Sequence, residues 1–146
     1  MKILRRIISA VLIQLMCTLS LMADDVPKQN KLTVNISKIQ SSEGQIILCI
    51  YNSSDNYDKR KAFQEFQLKP EIDSISFETH LPDGEYLIML CHDINTNGNL
   101  DTGIMSIPKE PVGLSNYDGK GIPGKFKKHK FTVTEDITVN IPLKTF

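Results

Sequence analysis

Short stretches in which apolar and polar residues alternate recur along the chain, and they constrain the fold more than any other feature of the sequence. In residues 31–39, Leu32, Val34 and Ile36 alternate with polar residues, the pattern of a strand with one face in a core and one in water. Turn residues such as Pro82 and Gly84 separate successive stretches. Further strands are predicted at residues 45–51, at the end of residues 59–68, and at 72–79, 85–92, 131–133 and 137–141.

These patterns predict an all-β protein. No stretch of ten residues has a convincing helical period, and turn residues follow one another at short spacing. We therefore expect an antiparallel β-sandwich of six or seven strands, immunoglobulin-like or transthyretin-like, in which residues 131–141 form a hairpin. Residues 102–125 contain five glycines and three prolines but also many apolar side chains, which favours one long ordered loop.

The first residues have the pattern of an export signal. Lys2, Arg5 and Arg6 precede an apolar stretch from residue 7 to residue 21, and Ala23 is a plausible cleavage position. The sequence thus predicts a signal peptide at residues 1–23, a flexible leader at 24–30 and a single domain at 31–146, in an exported protein of the periplasm or the exterior. An uncleaved membrane anchor and lipid anchoring at Cys17 are the alternatives.

Net charge, hydropathy and cysteine content bear on which partners, membrane segments and disulfide bonds the sequence predicts. Beyond residue 23 the chain has fourteen basic and seventeen acidic residues, a net charge of −3, which gives no reason to expect nucleic acid as a partner. After signal cleavage no apolar stretch long enough for a membrane-spanning helix remains. Cys49 and Cys91 lie in predicted strands, and the sequence leaves open whether they pair or remain free thiols.

A loop rich in oxygen-bearing side chains follows the most apolar predicted strand. Asp93, Asn95, Asn97 and Asp101 recur at alternate positions around Gly98, as in the first half of a helix-flanked calcium loop. Because Ca²⁺ takes six to eight oxygen ligands, the predicted site also needs the main-chain carbonyl of Asn99 and an acidic side chain from elsewhere.

Glu110 is the candidate for that acidic ligand. Ile104 occupies the twelfth position of the loop, where a helix-flanked calcium loop has its bidentate Glu, so Glu110 would have to reach back from the next segment. The alternative is that Asn and Asp side chains bond their own backbone in Asx turns, with Asp93 accepting main-chain N–H bonds and no ion present.

Two other functional hypotheses come from charged residues. The carboxylates of Asp93, Asp101 and Glu110 could serve a small secreted hydrolase, although nothing in the sequence sets their separation. The basic clusters at residues 59–61 and 125–130 are either solvated surface or contacts for anionic glycans or lipid headgroups.

Four motifs follow one another along the chain: L-P-x-G-x-Y (81–86), H-D-x-N-x-N-G-x-L-D (92–101), P-x-E (108–110) and G-x-S-N (113–116). In this order they resemble one family of small exported bacterial proteins, the domain of unknown function twenty-one forty-one. The resemblance covers nearly the whole chain beyond the signal peptide, and the continuation after Phe126 is richer in lysine than is usual in the family. The resemblance implies an envelope or secreted setting and a β-sandwich with no established activity.

These observations favour one function over the others. We expect an exported, non-enzymatic β-sandwich module, stabilised by Ca²⁺ at the Asp93–Asp101 loop, that binds an envelope protein or a glycan. The alternative is the small secreted hydrolase.

Overall fold

A computed structural model of the protein describes residues 27–104, 107–121 and 123–146. The predicted signal peptide, Cys17 and the first part of the predicted leader lie outside these residues. The strands are β1 (Gln29–Ile39), β2 (Gln45–Tyr51), β3 (Gln64–Leu68), β4 (Asp73–Pro82), β5 (Gly84–Asp93), β6 (Val112–Leu114), β7 (Phe131–Val133) and β8 (Ile137–Pro142). The helices are α1 (Ser54–Asp58) and α2 (Phe126–His129).

The strands form two sheets, which confirms the predicted all-β sandwich. One sheet has the order β4-β1-β8, and the other has the order β3-β2-β5-β6 with β7 also paired to β5. Neighbouring strands are antiparallel except β1 and β8, which run parallel. In the described residues no helix is long and apolar enough to cross a membrane.

The alternation in β1 produces the core between the sheets. Leu32, Val34 and Ile36 are fully buried, whereas Thr33 and Asn35 on the opposite face are partly exposed. Burying each aliphatic side chain contributes about 1.5–3 kcal/mol, so the period of two fixes which face of β1 points inward.

Strands β2 and β5 are covered on both faces, as the continuous apolar pattern of residues 45–51 predicts. Their inner face contributes Leu48, Ile50 and Ile88 to the core between the sheets. A second buried cluster on the outer face contains Tyr57 of α1 and Phe126 of α2. The segment after residue 101 therefore adds β6 to the edge of this sheet and then places Tyr117 and Phe126 on its outer face.

Three local predictions were wrong. Residues 131–141 do not form a hairpin, because β7 pairs with β5 and β8 pairs with β1 in the other sheet, so residues 134–136 cross between sheets. The predicted loop at 102–125 contains β6, a strand too short to show a period. The boundary of the leader shifts because β1 begins at Gln29, and Asn30 is buried while its side chain donates to Asp83.

Two turn glycines differ in how closely a neighbouring backbone segment approaches them. Gly44 and Gly98 both have positive φ, at 74° and 76°. A Cβ on Gly44 would lie 2.2 Å from the carbonyl oxygen of Asp93, whereas a Cβ on Gly98 would meet no atom within 4 Å. Gly44 thus permits the β1–β2 turn to contact the end of β5.

We predict unequal effects of two alanine substitutions. Gly98→Ala carries only the left-handed conformational cost and should lower the free energy of unfolding by about 1–2 kcal/mol. Gly44→Ala adds a collision with backbone atoms and should lower it by about 4 kcal/mol or more. Chemical denaturation of both variants measures the difference, and equal losses would contradict the close contact at Gly44.

Candidate functional site

The candidate site lies where β5 ends and the 93–101 loop begins. Asp93 is the last residue of β5 and pairs with Gln45 of β2 in the sheet register. Its side chain is fully buried, whereas residues 94–100 are exposed. A buried carboxylate must find hydrogen-bond donors or a cation, because an unpaired charge in the interior is costly.

The carboxylate of Asp93 receives three hydrogen bonds. The main-chain N–H groups of Asn97 and Gly98 donate to it at 3.1 and 2.8 Å, and the amide of Gln45 donates at 2.8 Å. Burial raises the pKa of Asp93, but these three hydrogen bonds, together with the nearby main-chain N–H of Thr96, outweigh it, so the pKa lies below its ordinary value of 3.8. Asp93 therefore holds the loop as an anion.

The remaining oxygen-bearing side chains of the loop bond one another. Asn95 and Asn97 accept the main-chain N–H groups of Asn97 and Asn99 at 3.0 and 2.8 Å, which are Asx turns. The same two side chains donate through their amide nitrogens to the carboxylate of Asp101, at 2.7 and 3.2 Å. The structure thus brings Asn95, Asn97 and Asp101 into one network around the turn at Gly98.

Glu110 reaches back to this loop from the following segment. Its side chain is buried, and it accepts the main-chain N–H groups of Ile94 and Asp101, each at 3.1 Å. The thiol of Cys91 donates to it at 3.6 Å. Glu110 therefore joins the two ends of the loop.

Ca²⁺ requires oxygen ligands, and three carboxylates lie at the loop or contact it. A carboxylate has about four lone-pair sites, so the carboxylates of Asp93, Asp101 and Glu110 all retain accepting capacity. The three ion pairs in the described part of the chain, Lys31–Glu78, Lys59–Asp55 and Lys130–Glu85, involve none of them.

The acidic side chains do not form a metal site by themselves. Within the described residues no group of three or more His, Cys, Asp or Glu side chains is placed to hold a metal ion. A calcium ion at this loop would therefore need the amide oxygens of Asn95 and Asn97 and the carbonyl of Asn99 as well as carboxylates. An all-oxygen set of this kind fits a hard cation.

The Cys91-His92-Asp93 sequence does not assemble a nucleophile and base. His92 is fully buried and its Nε2 donates to the carbonyl of Glu43 at 2.9 Å, whereas Cys91 lies on the opposite face of β5 beside Glu110. Burial and the charge of Glu110 raise the pKa of Cys91 to about 12, which keeps it a thiol.

Ser115 is an organising residue that the sequence analysis did not select. It is fully buried, its hydroxyl accepts the N–H of Ile88 at 3.0 Å, and it donates to the carbonyl of His129 at 2.8 Å. Gly113, two residues earlier, lies on the core, where a Cβ would come within 2.7 Å of Ile141. The G-x-S-N motif was the available signal for this packing.

Exposed apolar side chains surround the loop. Five of the seven large hydrophobic residues that are exposed in the described part of the chain belong to the loop, to residues 102–110 that follow it, or to the last position of the sequence. Ile104 is the most exposed, at 88%, and an open groove lies between residues 102–104, 107–109 and Phe146. The five residues are Ile94, Leu100, Ile104, Ile107 and Phe146.

The fold and site define a two-sheet β-sandwich with an Asp/Asn-rich loop clamped by buried carboxylates. Comparison with family models shows that the chain belongs to the family described as "Uncharacterized protein conserved in bacteria (DUF2141)", which matches residues 34–141. Comparisons with curated proteins and with solved structures gave no match. The match confirms the family that the sequence resembles.

We predict a pH-dependent effect of Asp93→Asn. Because the folded-state pKa of Asp93 is lowered, its stabilisation is fully present above the ordinary pKa and is lost as the pH falls through the folded-state value. The variant should melt below the parent near pH 7, and the gap should narrow below about pH 4. Asp73→Asn, at an exposed position, is the control; a gap independent of pH would contradict the role of the Asp93 charge.

We also predict that both strand thiols are unreactive in the folded chain. Burial and Glu65 raise the pKa of Cys49 to about 11, and Cys49 lies diagonal to Cys91 because Met89 is its direct partner. Diagonal Cα atoms are about 7–8 Å apart, beyond ordinary disulfide geometry. Iodoacetamide near pH 8 should label both thiols at least about a hundredfold more slowly than in denaturant. Rapid labelling or a Cys49–Cys91 disulfide in peptide mapping would refute this.

Proposed function

We propose that the protein is an exported, non-enzymatic β-sandwich module that binds Ca²⁺ at the 93–101 loop and an envelope protein or glycan at the surrounding surface. The observation that carries the proposal is the loop itself. Asp93 and Glu110 fix its ends through main-chain N–H bonds, and the side chains of Asn95 and Asn97 converge on Asp101.

The order of the donors supports calcium as the ion. Asp93, Asn95, Asn97 and Asp101 occupy the positions that supply side-chain ligands in a calcium loop, and Gly98 makes the turn with φ of 76°. The Asn99 carbonyl follows at the position that supplies a main-chain ligand. With so few carboxylates, the site fits the weak affinity of extracellular modules, about 10⁻⁴–10⁻³ M.

The exposed apolar residues around the loop support a binding role. Ile104, Ile107 and Phe146 border the open groove beside the loop. An ion that orders the loop would also fix Ile94 and Leu100, which belong to it. Binding of calcium would thereby organise the surface that meets the partner.

The state of the ionisable groups supports a non-enzymatic role. A general acid at neutral pH needs a raised pKa, whereas that of Asp93 is lowered. Glu110 is engaged by two main-chain N–H groups, and Cys91 is a thiol of high pKa. These groups stabilise the conformation of the loop. Export itself is supported by the pattern of the first 23 residues.

Thermal melts test calcium binding most simply. A ligand that binds only the folded state at ten times its Kd raises the free energy of unfolding by about 1.4 kcal/mol, which is a few degrees of Tm. We predict such a rise in millimolar CaCl₂, reversed by chelator and smaller with MgCl₂, because Mg²⁺ demands a more rigid octahedral site.

Asp101→Asn tests where the ion binds. Asp101 accepts only side-chain hydrogen bonds from Asn95 and Asn97, so the substitution should leave the Tm in chelator nearly unchanged while removing most of the calcium-dependent rise. Asp73→Asn is the matched control and should retain the full rise. No rise in the parent chain, or an equal rise in Asp101→Asn, would overturn the proposed calcium site.

A further inference from the structure

Two basic clusters far apart in sequence lie on one face of the folded chain. Residues 59–61 follow α1. Lys125 directly precedes α2, and Lys127 and Lys128 belong to it. We call the surface made by Lys59, Arg60, Lys61, Lys125, Lys127 and Lys128 the basic face. All six residues are exposed.

The packing of α1 against α2 brings the clusters together. Tyr57 of α1 and Phe126 of α2 are buried in the same cluster on the outer face of the β3-β2-β5-β6 sheet. Arg60 lies over the ring of Tyr57, with its guanidinium carbon 4.9 Å from the ring centroid, and donates to the sulfur of Met89 at 3.7 Å. The cations therefore project from a rigid apolar base.

His129 and Asn116 hold α2 in place. The His129 Nδ1 donates to the carbonyl of Asn116 at 3.1 Å, and the Nε2 accepts the N–H of Gly124 at 2.9 Å. Asn116 donates in turn to the carbonyl of Lys130 at 2.8 Å, beside the bond from Ser115 to His129. The lysines of α2 are thus carried by a short helix whose backbone is fixed on both sides.

Most of the positive charge on the basic face has no acidic partner. Of its six cations, only Lys59 forms an ion pair within the described residues, with Asp55. Asp118 lies nearby, and its pKa is lowered first by the N–H of Lys120 and then by the charges of Lys120 and Lys128. The chain beyond residue 23 is net negative, so the basic face is a local departure from the overall charge.

We propose that the basic face binds an anionic polysaccharide, whose carboxylate groups pair with its lysines and with Arg60. The residues that cover the sheet here, Tyr57 and Phe126, are buried, so the face has little apolar area to insert into a bilayer. Clustered cations above an ordered base attract a polyanion in a salt-dependent manner.

Binding of polygalacturonate to the full chain tests this inference, with neutral dextran as the uncharged comparison. Lys61→Glu and Lys127→Glu come from different clusters, and each should weaken binding several-fold, with the double variant weaker by about tenfold or more. The control is the double variant Lys38→Glu and Lys69→Glu, which makes the same charge change at exposed positions outside the face and should bind nearly as the parent does.

The binding measurements either support or overturn the proposed role of the basic face. Loss in both single variants, retention in the control and weaker binding at high salt support the basic face. Equal loss in the control, an effect of only one cluster, or no binding to polygalacturonate would overturn it, as would binding to phosphatidylglycerol vesicles alone. Melts of all variants in chelator confirm folding, and the binding assays are also run in chelator, which separates this inference from the calcium proposal.

Discussion

Two buried carboxylates, Asp93 and Glu110, determine how the candidate end of the sandwich is built. Each lies in the interior without a basic partner among the described residues, and each is instead satisfied by N–H donors. Hydrogen bonds to a charged acceptor contribute about 1.5–3 kcal/mol apiece, and leaving the carboxylates unpaired would be costly. The loop therefore takes its shape from the anions at its ends.

Strand β5 connects this loop to the rest of the molecule. Its inner face packs in the core between the sheets, and its outer face is covered by the segment that follows the loop. Gly113 packs closely on the core and Ser115 forms hydrogen bonds to Ile88 and His129, and both fix that segment to the sheet before it continues into α2. The 93–101 loop and α2, which carries one of the two clusters of the basic face, are thus two regions of one segment. This arrangement lets each region be tested without disturbing the other.

The sequence predicted the strands well because burial of alternating residues leaves a direct pattern, as in Leu32, Val34 and Ile36. It did not predict that β7 and β8 belong to different sheets, since strand partners depend on contacts between distant residues. The same limit applies to the site. The motif pointed to Asp93, Asn95, Asn97, Asn99, Asp101 and Glu110, and the structure places Glu110 back at the loop.

Other parts of the site carried weaker signals. Gln45 acts through one side-chain hydrogen bond and Ser115 through two, and none of these bonds leaves a periodic pattern in the sequence. Only Ser115 lies in one of the motifs. The convergence of residues 59–61 with α2 depends on the burial of Tyr57 and Phe126 in one cluster, which no local pattern encodes. The sequence shows each basic cluster, but it does not show that the two clusters lie on one face of the folded chain.

Amide hydrogen exchange measured by NMR tests the central role of Asp93 and Glu110 most directly. The amides of Gly98, Asn97, Ile94 and Asp101 belong to an exposed loop, yet each donates to a buried carboxylate. At neutral pH in chelator these four amides should exchange well below the rate of an unstructured peptide. Exchange at the unstructured rate would show that the carboxylates do not hold the loop and would contradict the account.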